Sequence, residues 1–161
     1  MSKIQVIDNF LDKNIHKNIK DVFLSKTFPW YFLNGVTFED DNDFFFVHDF
    51  YWDKQVLSNY FHDLILPIIG QIKFNEIVRI KANCYTKNNK KQEHLYHTDF
   101  NFNHNVMLYS INSNNGYTEF KTGEKILSTE NRLITFPGNL EHKSVTQTDT
   151  PLRVNININT I

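Results

Sequence analysis

Apolar and polar positions change their period near residue 75, and the change divides the chain into two stretches of different character. Before that point the spacing is helical. Ile15, Ile19, Val22 and Phe23 recur on one face of a segment that Asp12 can cap and that extends to Ser25. Phe28-Pro-Trp30 stops it. A second stripe of Val56, Leu57, Tyr60, Phe61, Leu64 and Ile65 predicts a helix over residues 54–69. Between them an acidic turn, Glu39-Asp-Asp-Asn-Asp43, leads into Phe44-Phe-Phe-Val47, which reads as a short buried strand. The helices read as scaffold, and Phe44–Phe46 and Trp52 as core.

From Glu76 onward short strands alternate with polar turns. They are expected at residues 78–85, 96–100, 106–111, 117–121, 125–128, 132–136, 142–145 and 153–159. That succession suggests a sandwich or barrel rather than alternating strands and helices. The last strand is the clearest, because a period of two sets Val154, Ile156 and Ile158 on one face and Arg153, Asn155 and Asn157 on the other. So regular a polar face meets water or lines a polar cavity.

Length and composition narrow the picture. The 161 residues suit one domain spanning 1–161, with 1–75 as helical support and 76–161 as the strands that carry a site. A 40% hydrophobic and 15% aromatic content is enough to fill a sheet-based interior. A formal net charge of -1 gives no strong pull toward nucleic acid or an anionic membrane. The single Cys84 cannot form an internal disulfide, and Met1–Phe10 has neither a basic nor an apolar signal region, so a cytoplasmic location is expected. The most apolar run, Leu64-Ile-Leu-Pro-Ile-Ile69, is far too short to span a bilayer.

His97-Thr-Asp99 holds the candidate chemistry. On a strand, residues two apart project to the same side, so both can meet one metal ion. His48-Asp49 and His62-Asp63 show that such neighbours are common here, and a third ligand must therefore come from elsewhere. His142, after the turn-rich Phe136-Pro-Gly-Asn-Leu-Glu, can complete two histidines and a carboxylate on one face of an octahedral ion. Arg153 sits on the polar face of the last strand, where a buried guanidinium needs an anion, with a surface acid such as Asp149 as the plainer partner. His94 lies three residues before His97, which turns it to the opposite face as a loop or substrate-side residue; His16, His48, His62 and His104 have no partners at ligand spacing. Lys87-Asn-Asn-Lys-Lys91 reads as a solvated loop, with a lid as the alternative.

Taken in order, these residues resemble the Fe(II)/2-oxoglutarate-dependent oxygenases, in particular their compact prolyl-4-hydroxylase-like branch. The resemblance covers about half of the chain. It rests on Asn83-Cys-Tyr85, His97-Thr-Asp99, Gly116-Tyr-Thr-Glu-Phe120, Asn131-Arg-Leu-Ile-Thr-Phe-Pro137, His142 and Arg153-Val-Asn155. His94, Tyr117 and Asn155 depart from the family's usual tyrosine, glycine and serine, which bears on the primary substrate.

The resemblance implies a mainly β fold with flanking α-helices, a cupin-like double-stranded β-helix or jelly roll. It implies His97, Asp99 and His142 as catalytic iron ligands, and Arg153, Tyr85, Asn83, Thr118 and Asn155 around 2-oxoglutarate. Fe(II), 2-oxoglutarate and O2 would be required, with ascorbate a further candidate. The expected reaction is hydroxylation of a small-molecule or peptide substrate, a peptidyl proline among them, with release of succinate and CO2. Two other classes remain open: a non-redox cupin-like metal-binding protein, and a metal-free β-sandwich that serves interaction.

Overall fold

The computed structural model describes residues 4–38 and 41–161; Glu39 and Asp40 of the expected acidic turn, and residues 1–3, lie outside the described residues. Among the described residues, eleven strands form two antiparallel sheets facing each other in a jelly roll. The larger sheet contains β1 (Gln5–Ile7), β2 (Tyr31–Asn34), β3 (Phe44–Trp52), β5 (Ile77–Thr86), β6 (Asn105–Ser110), β9 (Arg132–Pro137) and β11 (Leu152–Thr160). Their order is β1-β9-β6-β11-β5-β3-β2, and β4 (Gln55–Val56) pairs with β3. The smaller sheet runs β10-β7-β8, from His142–Val145, Tyr117–Phe120 and Lys125–Leu127.

The expected alternation holds most clearly in the two central strands. One face of β11 carries Val154, Ile156 and Ile158, and one face of β5 carries Ile80, Ala82 and Cys84; all six are buried in the main core. That core is closed from outside by helix α1 (Lys13–Phe23) and the region around α2 (Leu66–Ile69). Asp12 caps α1 by accepting from the amides of Asn14 and Ile15. Its buried face is His16, Ile19 and Phe23, while Ile15, expected to point inward, is exposed. A smaller core of Val106, Leu108, Phe120, Ile134, Phe136 and Leu140 fills part of the space between the sheets.

Three sequence expectations need correction. First, the helix over residues 54–69 forms only in its second half, as a π-helical turn at Phe61–Ile65 that runs into α2. Asp53 and Lys54 both take positive φ, 49° and 61°, and turn β3 back onto β4 in a two-residue hairpin, so Val56 and Leu57 are exposed. The first 75 residues are therefore not only helical support, because they also supply β1–β4. Second, residues 96–100 do not form a regular strand; the segment contacts β10 through isolated bridges, Glu93 to Val145 and His97 to His142. Third, β3 is nine residues long rather than four, with Phe45 buried but Phe44 and Trp52 exposed. Trp52 stacks on Phe100 at the surface instead of joining the core.

Candidate metal centre and adjoining cavity

His97 and His142 are opposite partners in an antiparallel bridge. The amide of each donates to the carbonyl of the other, both at 3.0 Å, which sets the two rings on the same side of the backbone. The ring centroids are 4.7 Å apart. Each ring donates from Nδ1 to the carbonyl two residues before it, Leu95 for His97 and Leu140 for His142, both at 3.2 Å. That bond fixes the tautomer and leaves the Nε2 lone pair free for a metal.

After His97 the chain peels away from β10, and Asp99 turns toward the larger sheet. Its Oδ1 lies 3.7 Å from His97 Nε2 and 4.0 Å from His142 Nε2. Its Oδ2 accepts from Asn157 at 3.0 Å and Asn159 at 2.6 Å, with the Arg79 guanidinium at 3.4 Å. One oxygen is thus held by protein and the other faces the histidines. One ligand atom from each of the three residues falls within 4.8 Å of the others. Adjacent ligands of an octahedral ion with bonds of about 2.1 Å stand about 3 Å apart, so small side-chain rotations bring this set to bonding distance.

The charge states suit a cation. Burial would raise the Asp99 carboxyl, but His97, Arg79, His142 and Asn159 together hold it well below the usual carboxylate range. Burial, reinforced by His97, pushes His142 down to about 4 against the opposing pull of Asp99, so the ring is neutral and able to ligate at neutral pH.

From this centre a cleft of about 470 Å³, counting its open mouth, runs between the sheets. Its floor is a ladder of paired polar residues on β5 and β11: Tyr85 with Arg153, Asn83 with Asn155, Lys81 with Asn157, and Arg79 with Asn159. All but Arg79 and Asn159 line the cleft, together with Val36, Phe45, Leu108, Thr118 and Ser144. Asn83 Nδ2 donates to Asn155 Oδ1 at 3.0 Å.

Arg153 is 2% exposed. Its Nε donates to Ser128 at 2.8 Å and one terminal nitrogen reaches Thr118 at 3.5 Å, while the guanidinium lies 5.1 Å from the Tyr85 ring centre. Nη1 is buried without a partner, as are Asn83 Oδ1 and Asn157 Oδ1 in the same cleft. Asp149 does not serve Arg153; it accepts from the Asn115 amide. A buried guanidinium with one face unsatisfied fits a carboxylate.

All eight residues anticipated from the sequence therefore border one site: His97, Asp99 and His142 at one end, Arg153, Tyr85 and Thr118 toward the other, and Asn83 and Asn155 between them. Lys81, Asn157, Asn159, Arg79 and Ser144 were missed. The signal was present, since Arg79, Lys81, Asn83 and Tyr85 alternate on β5 just as the polar residues do on β11. Burial pushes the Lys81 ammonium down to about 8, helped by Arg79 and opposed by Asp99 and Asp49.

His94 lies in the irregular segment between β5 and β6, as a loop residue should, but it is not solvent-facing. It is buried, stacks on Tyr85 and bridges Asp43, at 2.9 Å, to Ser144, at 2.5 Å, and it belongs to no metal-ligand cluster among the described residues. Residues 87–91 do not line the cleft, and Lys91 is tied to the Asn115 carbonyl at 2.5 Å.

No family model matches the chain, and no curated protein matches it significantly. Solved structures do. An oxidoreductase of the 2OG-Fe(II) oxygenase family from Burkholderia pseudomallei superposes with a TM-score of 0.69 at 12% identity, over 98% of this chain and 84% of that one. A Pseudomonas putida prolyl-4-hydroxylase gives 0.66 at 10% identity, over 99% and 93%. A Trichoplax adhaerens prolyl hydroxylase, in complex with a peptide of the hypoxia inducible factor oxygen degradation domain, gives 0.61 at 15%, over 98% and 83%. The likeness covers nearly the whole chain, where the sequence motifs cover about half, and it shows that the fold is the one these proteins share.

Proposed function

We propose that the protein is an Fe(II)- and 2-oxoglutarate-dependent dioxygenase that hydroxylates its substrate and releases succinate and CO2. The observation that carries this reading is the pairing within one cleft of a His-Asp-His cluster and a buried guanidinium with an unsatisfied nitrogen. A metal site alone would not need the arginine. A metal-free interaction module would need neither.

His97, Asp99 and His142 would hold the ion by one face and leave the other coordination positions open. When bound, iron supplies the oxidising power that couples decarboxylation of 2-oxoglutarate by O2 to attack on a substrate C–H bond. The protein's own part is orientation. Arg153 binds the distal carboxylate of 2-oxoglutarate, with Ser128 and Thr118 bracing the guanidinium and Tyr85 flanking it. Asn83 and Asn155 form the floor between, and Val36, Phe45 and Leu108 exclude water from the wall. Ascorbate would act as a reductant that maintains Fe(II). A cytoplasmic location accords with the lone thiol of Cys84, which is buried in the core and pushed up to about 12 by that burial. Among the described residues no helix is long and apolar enough to cross a membrane.

The test is spectroscopic. Anaerobic Fe(II) plus 2-oxoglutarate should give the wild type a weak visible charge-transfer band that His97→Ala lacks, and aerobic turnover should release succinate even without primary substrate. A wild type with neither signal refutes the reading.

A further inference from the structure

Lys81 has no task in the machinery just described. It projects from β5 into the cleft at the rung shared with Asn157, whose amide holds Asp99, so it stands at the metal end of the ladder. Arg153 is two rungs away on β11, a separation of about 13 Å along the strand. The two cations are thus placed to meet different groups. Across β3 the register partner of Lys81 is Asp49, a ready counter-ion. The lysine does not use it: Nζ lies 5.4 Å from the centre of the Phe45 ring, and no carboxylate among the described residues forms an ion pair with it.

A count of formal charge sharpens this. Among the described residues, Lys81 and Arg153 are the cations lining the cleft and Asp99 the one anion, a surplus of one positive charge. A divalent ion adds two positive charges and 2-oxoglutarate cancels two, so the surplus outlasts both. Arg79, ion-paired with Asp99 at 3.4 Å, and Asp49, the register partner of Lys81, both lie outside the lining and their charges cancel in the count. A half-buried cation beside an apolar wall favours an anion that brings its own charge.

We propose that Lys81 is the counter-ion for a free carboxylate on the primary substrate, which is therefore a small carboxylic acid rather than an internal residue of a peptide; this rests on the oxygenase reading above. The acid carries no ammonium beside that carboxylate, because among the described residues Asp99 is the only carboxylate lining the cleft, and it is already engaged by Arg79, Asn157 and Asn159. Aliphatic or aromatic acids, 2-hydroxy acids and N-acyl amino acids meet these conditions. An interior peptide residue does not.

The experiment compares acids of those classes with their own carboxamides, using the iron-loaded protein at saturating 2-oxoglutarate. Two readouts are followed: stimulation of succinate release, and perturbation of the anaerobic Fe(II)–2-oxoglutarate absorption band. In the wild type at least one acid should outperform its carboxamide by about tenfold or more in both. Lys81→Met should bring that ratio to about one, and Lys81→Arg should retain most of it. Circular dichroism and urea unfolding establish that the variants are folded, and an acid preference lost in Lys81→Met but kept in Lys81→Arg cannot come from misfolding.

No acid exceeding its carboxamide, whether both act or neither does, overturns the proposal, and so does a preference that survives Lys81→Met. A Kd for 2-oxoglutarate raised about tenfold or more in Lys81→Met would assign the lysine to the co-substrate and overturn it as well. A wild type without absorption band or succinate removes the oxygenase reading itself, an outcome distinct from all of these.

Discussion

At the scale of single residues, the site depends on side chains that touch the ligands rather than the metal. Asn157 and Asn159 hold the outer oxygen of Asp99, and Arg79 adds charge beside it. Asn157→Ala or Asn159→Ala should weaken Fe(II) or Mn(II) binding about 10- to 100-fold while leaving the protein folded, measured by metal titration followed calorimetrically. At the other end, Gly116 packs against Arg153: a Cβ there would meet Arg153 Cδ at 2.8 Å and the Val145 carbonyl at 2.9 Å. Gly116→Ala should therefore displace the guanidinium and raise the Kd for 2-oxoglutarate with little change in metal affinity. If metal and co-substrate affinity fell together, the effect would be general disruption rather than a moved arginine. The candidate metal ligands were legible in the sequence because His97 and Asp99 are close in the chain and His142 follows a turn. Lys81 was not, because a lysine in a strand ordinarily reaches solvent, and its inward placement shows only when β5 is paired with β11.

At the scale of elements, β11 supports most of the argument. It pairs with β5 on one side and β6 on the other, and Ile156 at its middle is fully buried. Ile156→Ala should cost about 2–5 kcal/mol, read as a lower urea midpoint with an unchanged denaturant slope. Strict alternation made β11 readable in advance, while the same alternation on β5 went unread. The failures have local causes. Asp53-Lys54 lacks the glycine that usually marks a two-residue hairpin, and the apolar residues after it happen to fall at helical spacing. The segment around His97 reads as a strand because its side chains alternate, but the detour of Asp99 toward β11 limits its pairing with β10 to isolated bridges. No periodicity records a departure made to reach a partner about sixty residues away.

At the scale of the molecule, buried histidines away from the metal centre add to the acid sensitivity that His142 confers on the metal-free protein. Burial pushes both His16 and His48 below the ordinary histidine range; His16 is bonded to the Tyr109 hydroxyl, and His48 to the Pro29 carbonyl and Ser58. The unfolded chain takes up protons on these rings near pH 6.5 while the folded protein resists, so their contribution is intact above that pH and is lost as pH falls below it. Metal-free protein should show a lower urea midpoint at pH 5.5 than at pH 7.5, and His48→Gln should reduce the difference without abolishing it, since His16, His94 and His142 are also held below the ordinary range. A midpoint insensitive to pH across this interval would mean that the rings open to solvent before they titrate. The double layer and its closure by α1 and α2 also explain why a fold so plainly shared with solved oxygenases retains little sequence identity: the constraint falls on which face each residue occupies, and many apolar residues satisfy it.

The back-to-back arrangement on β11, hydrocarbon behind and Arg153, Asn155 and Asn157 in front, has one last consequence. A slip of one residue against β5 would thrust the guanidinium into oil and valine into the cleft, exchanging both faces in a single step. Correct assembly of the interior and competence to bind ligand are thus the same event, and a refolding chain should regain 2-oxoglutarate binding at the rate at which its interior becomes protected from hydrogen exchange, with no lag between them.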